Sequence, residues 1–217
     1  MFDIILFDLD GTLTDPKTGI TTCVQYALNA IGIDEPDNDK LAPFIGPPLK
    51  EMFMSYCNVD SDMGDFLVEK YRERFSTIGK FENEVYDGIP QLLDKLKRNN
   101  KTIALATSKP QIFSEQILEH FHIKQYFDIL VGSELNGERV HKIDIINEFI
   151  SRAGGRFDSA KTAMVGDRKY DIEGAKSCGI CSVGVLYGYG GYEELSAAGA
   201  DYIVENVRSL EKLLLEE

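Results

Sequence analysis

Two carboxylates stand near the start of the chain, directly after a short apolar run. Residues 4–6 are apolar, and residues 7–12 read Phe-Asp-Leu-Asp-Gly-Thr, which predicts a buried strand ending at a glycine turn. Asp8 and Asp10 would lie on one side of its carboxyl end, where open α/β sheets bind ligands. Two carboxylates about 4 Å apart repel by roughly 4 kcal/mol at an effective dielectric constant near 20. Unless the segment is simply an acidic turn, the pair needs a cation, a shared proton or a substrate.

A second apolar run, residues 102–106, ends in hydroxyl side chains. It continues as Thr107 and Ser108, followed by Lys109 and Pro110. A hydroxyl beside backbone N–H groups at the start of a helix can hold a phosphate group, and an ordinary helix cap is the alternative for both hydroxyls. Lys109 either lines such a site or faces water.

A lysine and two further acids occur later in the chain. Lys142 lies at the head of an amphipathic stretch, where a lone lysine is more often solvated than functional. A third apolar run, residues 162–165, leads through a glycine into Asp167, and Asp171 follows four residues later. Carboxylates suit Mg²⁺, although an acid in the first turn of a helix, as expected for Asp171, also stabilises the helix dipole.

In chain order these segments read Asp-x-Asp, Thr/Ser, Lys and Gly-Asp-x-x-x-Asp. The set resembles the motifs of the haloacid dehalogenase (HAD) superfamily of phosphatases, and the resemblance covers most of the chain. It implies that Asp8 is a nucleophile that forms an aspartyl phosphate, and that Asp10 is the general acid and base. It also implies that Lys142 supplies a fixed positive charge to the phosphoryl oxygens. Dehalogenases and phosphonatases of the superfamily carry another residue at the Asp10 position, so an aspartate there favours cleavage of phosphate esters.

The resemblance further implies the groups that hold metal and phosphate. Mg²⁺ is the implied cofactor, with Asp8, Asp167 and the backbone carbonyl of Asp10 as ligands. Asp171 would be an outer metal residue that orients water or Lys142. The expected substrate-binding residues are Thr107, Ser108, Lys109 and Gly11.

Apolar and amphipathic segments alternate through most of the chain. The predicted strands are residues 4–8, 102–107, 127–131, 162–165, 180–185 and 201–204. The predicted helices between them are residues 88–97, 112–121, 143–153, 172–176 and 207–215. This alternation predicts an α/β fold with a doubly wound parallel sheet, which in the resembled superfamily is a Rossmann-like core.

Residues 15–81 interrupt the alternation, because they show helix-period patterns and no clear strand. The predicted organisation is a core domain of residues 1–14 and 82–217 with an inserted helical domain of residues 15–81, a helical cap in the resembled superfamily. Within it, the segment Gly46–Lys50 has two prolines after a glycine. It is either a loop that meets the leaving group of the substrate or a turn between helices, and it looks like the phosphoglycolate phosphatase-like branch.

Composition limits the binding partners and the cellular compartment that we expect for this chain. The chain has 217 residues, 43% hydrophobic, and a formal charge of −13, which argues against a nucleic acid polymer or an anionic membrane as partner. No apolar run approaches the roughly 20 residues of a membrane span, and no secretory signal is visible, so a cytoplasmic location is expected. Cys178 and Cys181 form Cys-x-x-Cys at the predicted end of a helix, where a thiolate is disfavoured, and two small buried residues are expected there.

The expected function is Mg²⁺-dependent hydrolysis of a small phosphorylated metabolite, with phosphoglycolate as the family-level substrate. A 5′-nucleotidase or a pyrophosphatase of the same superfamily is the alternative. A β-phosphoglucomutase is disfavoured, because the mutases it resembles carry a histidine early in the cap, and Lys17–Ala30 has none. The sequence assigns no role to the loop Tyr187–Tyr192 and no oligomeric state.

Two other classes of protein are compatible with an aspartate on a parallel sheet. A receiver-type signalling domain lacks such an insert and carries its acceptor aspartate after the third strand. A binding protein without activity would be expected to lose one of the four residues that carry the chemistry. All four are present, namely Asp8, Asp10, Lys142 and Asp167.

Overall fold

In the computed structural model, which describes residues 2–215, the chain divides into two compact units. The core unit runs up to Asp15 and resumes at Val85, and the inserted unit is Pro16–Glu84. Residues 15–81, predicted as the insert, start one residue earlier and end three residues earlier than this unit. Residues 1, 216 and 217, assigned to the core domain from the sequence, lie outside the described part of the chain.

Strands and helices alternate along the core unit, and helices predominate in the insert. The strands are β1 (Ile4–Phe7), β2 (Thr14–Asp15), β3 (Glu84–Val85), β4 (Thr102–Pro110), β5 (Ile129–Ser133), β6 (Thr162–Gly166), β7 (Cys181–Val185) and β8 (Tyr202–Val204). The α-helices are α1 (Lys17–Asn29), α2 (Asn38–Leu41), α3 (Leu49–Cys57), α4 (Ser61–Phe75), α5 (Ile89–Arg98), α6 (Gln111–His120), α7 (Lys142–Ala153), α8 (Lys169–Ser177), α9 (Gly191–Ala198) and α10 (Val207–Leu215).

Six strands form one parallel sheet in the order β5-β4-β1-β6-β7-β8. The first strand is central, because Phe7 pairs with Leu105 of β4 on one side and with Val165 of β6 on the other. The chain therefore adds strands outward from β1 in both directions. This topology brings the carboxyl ends of β1, β4 and β6 to one edge of the sheet, where open α/β sheets bind ligands.

Both faces of the sheet are covered by helices. Ile5 and Phe7 pack with apolar residues of α5, α6 and α10, whereas Ile4 and Leu6 pack with those of α7 and α8. Strands buried on both faces are near-continuous apolar runs, as residues 4–7 are. The doubly wound α/β fold expected from the sequence is confirmed.

Two features of the core unit depart from the sequence prediction. Strand β4 extends past the predicted end to Pro110, with a register shift against β5 between Ala106 and Pro110. Helix α9 follows the loop that begins at Tyr187 and was not predicted, because the glycines in this segment mask its helical pattern.

The inserted unit is a small helical domain with its own apolar interior. Helix α1 packs on α4, and α4 packs on α3. Val24 and Leu28 of α1 and Leu67 of α4 are buried, as their helix-period spacing predicted. Asp60 caps α4, because its carboxylate accepts a hydrogen bond from Met63 N at 3.0 Å. No helix within residues 2–215 has the length and apolar character to cross a membrane.

Candidate active site

Asp8 lies at the carboxyl end of the central strand and is buried. Its backbone N–H donates to the Val165 carbonyl at 2.9 Å, which fixes the residue beside β6. The side chain is 10% exposed, and its Oδ1 lies 3.0 Å from Lys142 Nζ. The strand therefore places this carboxylate in a low-dielectric position with a cation in contact.

Lys142 begins helix α7 and directs its ammonium group into the sheet edge. Its Nζ donates to the Ala106 carbonyl at 2.9 Å and lies 2.7 Å from Asp171 Oδ1, besides its contact with Asp8. These three contacts match the three N–H donors of an ammonium group. Burial lowers the pKa of Lys142, but the carboxylates of Asp171 and Asp8 outweigh it and raise the pKa, so the side chain is a fixed positive charge.

Three carboxylates lie together at this edge of the sheet, and two of them contact the ammonium group. Ligand atoms of Asp8, Asp167 and Asp171 all lie within 4.8 Å of one another, and Asp167 and Asp171 are 0% and 1% exposed. Burial and the neighbouring carboxylates raise the pKa of both Asp167 and Asp171. With all three carboxyl groups ionised, their negative charge exceeds the single positive charge of Lys142 by two.

The donor set fits a small divalent cation. Asp167 Oδ1 is buried and has no hydrogen-bond partner among residues 2–215, although an unsatisfied buried charged oxygen is costly. All side-chain donors here are carboxylate oxygens, which hard cations such as Mg²⁺ prefer. Asp8, Asp167 and Asp171 could therefore hold a metal ion whose two charges balance the cluster.

Close backbone approach around the cluster depends on glycine. Gly11 has φ of +81° and a Cβ there would lie 2.2 Å from Asp167 Oδ2. A Cβ at Gly166 would lie 2.1 Å from the carboxyl carbon of Asp171. Gly11, predicted as a phosphate contact, is thus required first by the packing of the turn against Asp167.

Asp10 lies beside the cluster and has a lysine partner of its own. Its carboxylate forms an ion pair with Lys109, and the two side chains are 12% and 7% exposed. Burial raises the pKa of Asp10, and Lys109 opposes the shift without cancelling it. Lys109 is therefore buried beside Asp10 and does not face water, which was one of its two sequence interpretations. A contact between Lys109 and substrate stays a prediction. The carboxylate of Asp10 is not part of the cluster of Asp8, Asp167 and Asp171. The backbone carbonyl of Asp10 stays its predicted metal ligand.

Thr107 and Ser108 lie in the irregular end of β4. Thr107 is buried and its Oγ1 accepts a hydrogen bond from Lys109 N at 3.3 Å, while Ser108 is half-buried. Helix α6 begins only at Gln111, and its N-terminal cap position is Pro110. The expectation that either hydroxyl stands at a helix start is wrong, because the bulged strand continues past both. A phosphate contact by either hydroxyl stays a prediction.

The loop after β7 reaches the same edge and was left without a role by the sequence. Tyr189 N–H donates to Asp167 Oδ2 at 2.8 Å, and its hydroxyl donates to the Asp15 carboxylate. The Tyr187 hydroxyl donates to the Thr12 carbonyl at 3.0 Å. The alternation of tyrosine and glycine after a strand was the sequence signal for a close approach of this backbone.

Cys178 and Cys181 do not form a reactive pair. Cys178 lies at the end of α8, Cys181 begins β7, and both are half-buried rather than buried as expected. Burial raises the pKa of both thiols, that of Cys181 to about 11. A raised thiol pKa disfavours the thiolate, the reactive form.

Comparison with known proteins places the chain among phosphatases. The model of the family described as haloacid dehalogenase-like hydrolase matches residues 5–185. A 5′-nucleotidase of Pseudomonas aeruginosa is 43% identical over 210 residues, covering 97% of this chain and 94% of that protein. A phosphoglycolate phosphatase of Vibrio parahaemolyticus is 28% identical over 215 residues, covering 95% and 93%. The crystal structure of a predicted phosphatase from Clostridium acetobutylicum superposes with a TM-score of 0.96 at 46% identity, covering 100% of both chains.

Proposed function

The chain belongs to the haloacid dehalogenase-like hydrolase family and is a phosphatase, and from this premise we propose that it is a Mg²⁺-dependent phosphomonoesterase for a small phosphorylated metabolite. The observation that carries the proposal is the buried cluster of Asp8, Asp167 and Asp171, whose charge in the fully ionised form exceeds that of Lys142 by two. In the same unit, the Asp10 carboxylate pairs with Lys109. One site thus offers a nucleophile, a metal position and a proton carrier.

In the first step, a carboxylate oxygen of Asp8 attacks phosphorus while the bond from phosphorus to the ester oxygen breaks. Lys142 contacts Oδ1, which leaves Oδ2 to attack. Because Lys142 is itself held by Ala106 and Asp171, the Asp8 side chain enters the reaction already oriented. Preorganised charge of this kind is the main means by which proteins catalyse phosphoryl transfer.

Asp10 donates a proton to the leaving oxygen and later accepts one from the attacking water. A general acid must hold its proton in the enzyme–substrate complex, and the raised pKa of Asp10 favours this. Lys109 keeps the carboxyl in place through the ion pair. In the second step the water attacks phospho-Asp8, the bond from Oδ2 to phosphorus breaks, and Asp8 is regenerated with release of phosphate.

The metal and phosphate positions complete the proposal. Asp8, Asp167 and the Asp10 carbonyl would hold Mg²⁺, with Asp171 orienting Lys142 as its 2.7 Å contact supports. When bound, Mg²⁺ supplies positive charge to the phosphoryl oxygens. The proposed phosphate contacts are Thr107, Ser108, Lys109 and the backbone of Gly11.

Nucleoside 5′-monophosphates are the first substrate class to test. The relative named 5′-nucleotidase is 43% identical to this chain, whereas the phosphoglycolate phosphatase is 28% identical. Phosphoglycolate, the substrate expected from the sequence, is therefore the second candidate. The formal charge of −13 supports a small substrate drawn in by local cations rather than a nucleic acid polymer.

Phosphate release from a panel of metabolites tests the proposal. The panel contains nucleoside 5′-monophosphates, phosphoglycolate and pyrophosphate, each with Mg²⁺ and with EDTA, for the wild type and for Asp8→Asn. We expect Mg²⁺-dependent release by the wild type and none by Asp8→Asn, because an amide cannot form the phosphoenzyme. Activity of Asp8→Asn at the wild-type rate, or release unaffected by EDTA, would contradict the proposal.

A further inference from the structure

One residue of the loop after β7 contacts two carboxylates in the core unit. The backbone N–H of Tyr189 donates to Asp167 Oδ2 at 2.8 Å. The phenol hydroxyl of the same residue donates to Asp15 Oδ1. Tyr189 therefore connects a carboxylate of the acidic cluster to the last core residue before the insert.

The amide contact divides the roles of the two Asp167 oxygens. Oδ2 accepts the Tyr189 N–H, whereas Oδ1 is buried without a hydrogen-bond partner in the described residues. The oxygen that lacks a partner is the one available to a cation, and the amide bond to the other oxygen fixes the orientation in which the carboxylate presents it. A fixed ligand orientation of this kind strengthens metal binding, as hydrogen bonds to metal ligands generally do.

The phenol end of Tyr189 anchors the loop that carries this amide. Besides Asp15, it hydrogen-bonds with Tyr86, the second core residue after the insert. Burial and the Asp15 carboxylate raise the pKa of Tyr189, so the phenol remains a proton donor. Tyr189 is half-buried, and its position is set by side chains that flank the insert in the sequence.

We propose that Tyr189 is a positioning residue for the metal site: its amide orients the Asp167 carboxylate so that one oxygen faces the cation, and its phenol, bonded to Asp15, keeps that amide in place. This inference rests on the proposed function, because it takes Asp167 as a metal ligand. Tyr189 acts through Asp167 and is not itself assigned a contact with substrate.

Mg²⁺ binding to Tyr189→Phe tests the proposal without substrate. The thermal unfolding midpoint is measured over a series of Mg²⁺ concentrations, since a ligand that binds only the folded protein raises it according to its Kd. We expect Kd for Mg²⁺ to rise about tenfold, the lower end of the effect of losing a partner of a metal ligand. At saturating Mg²⁺, kcat should be close to that of the wild type, because the missing group touches no reacting atom.

Tyr192→Phe is the matched control. It removes the same hydroxyl three residues further along, from a side chain that is 63% exposed. Its Kd for Mg²⁺ should equal that of the wild type. Equal Kd values for Tyr189→Phe and the wild type would overturn the inference while leaving the proposed function intact, whereas a wild type that binds no Mg²⁺ would overturn both.

The link through Asp15 is tested by combining substitutions. Asp15→Ala should weaken Mg²⁺ binding, and the double variant should be no weaker than Tyr189→Phe alone, because both substitutions remove the bond between the Tyr189 hydroxyl and Asp15. Asp15→Asn retains an acceptor oxygen and should restore part of the affinity. Independent losses that multiply in the double variant would show that Asp15 and Tyr189 act separately, contrary to the proposal.

Discussion

Substitution of Asp167 by asparagine should stabilise the metal-free protein while abolishing its activity. Asp167 is 0% exposed, and its ligand atom lies within 4.8 Å of those of Asp8 and Asp171. Asparagine has nearly the same size and can keep the acceptor for Tyr189 N–H, but it carries no charge. The variant therefore removes the like-charge repulsion without creating a cavity.

The magnitude follows from the spacing of the carboxylates. Two unit charges at that separation repel by about 3 kcal/mol at an effective dielectric constant near 20, and Asp167 has two such neighbours. The positive charge of Arg168 offsets part of this repulsion. Protonation of Asp167 limits the rest, but binding that proton itself costs free energy above the usual pKa of an aspartate. We expect a gain of about 2–4 kcal/mol near pH 8, which corresponds to roughly 5–15 °C in Tm for a chain of this size.

The pH dependence of stability shows why the substitution should stabilise the metal-free protein at high pH. Burial and like charges raise the pKa of Asp167 above that of an unfolded aspartate, so between the two values the folded state binds a proton that the unfolded state has lost. Stability of the metal-free wild type then falls as the pH rises through this interval. Asp167→Asn lacks this loss, and its advantage should disappear near pH 4.

Thermal unfolding in EDTA at several pH values is the assay. Asp34→Asn, which removes one charge from an exposed side chain of the insert, is the matched control and should leave Tm nearly unchanged. Added Mg²⁺ should stabilise the wild type and have much less effect on Asp167→Asn. An Asp167→Asn protein that is no more stable than the wild type near pH 8, or whose advantage persists unchanged at about pH 4, would refute the electrostatic reasoning.

Three further predictions concern catalysis. EDTA should abolish phosphate release, and Mg²⁺ should restore it far better than Ca²⁺, whose larger and more flexible coordination misplaces the attacking oxygen; equal rates with both ions would be evidence against the site. Changing Pro47 or Lys50 should alter the ranking of substrates more than the rate on p-nitrophenyl phosphate. If all substrates lose rate in the same proportion, the segment Gly46–Lys50 has a structural role only. Asp10→Asn should slow the hydrolysis of alkyl phosphates about 10²–10⁴-fold. With p-nitrophenyl phosphate, rapid-quench experiments should show a burst of nitrophenol near one equivalent followed by slow turnover, and intact-mass measurement should detect phospho-Asp8. Equal slowing of both substrates without a phosphate adduct would overturn the role of Asp10.

Residues at the ends of regular strands were predictable from the sequence. An apolar run fixes a buried strand, and parallel strands bring their carboxyl ends together, so the proximity of Asp8 and Asp167 follows from local patterns and topology. Lys142 begins a helix as expected. Its three contacts were not predictable, because they depend on residues that come from β1, β4 and α8.

Residues outside regular elements were less predictable. The bulged end of β4 turns Lys109 towards Asp10, whereas the sequence allowed a solvated lysine equally well. The contacts of Tyr189 depend on backbone that approaches Asp167 closely, and the glycines that permit this approach also conceal the start of α9. The position of Lys109 and the contacts of Tyr189 both depend on tertiary packing rather than on the local preferences of the sequence.

Two buried lysines divide the carboxylates of the site into two groups. Lys109 pairs with Asp10, and Lys142 pairs with Asp8 and Asp171. Asp8 and Asp10 are only two residues apart, and with a shared environment they would compete for the same proton. Separate lysine partners instead give each a different ion pair. Asp8 belongs to the acidic cluster that can bind a cation, whereas the Asp10 carboxylate lies beside the cluster, where burial and the Asp8 charge raise its pKa against the effect of Lys109. Separation of two carboxyl groups by their environments is how one site supplies both a nucleophile and a proton donor, and it supports the roles proposed for Asp8 and Asp10.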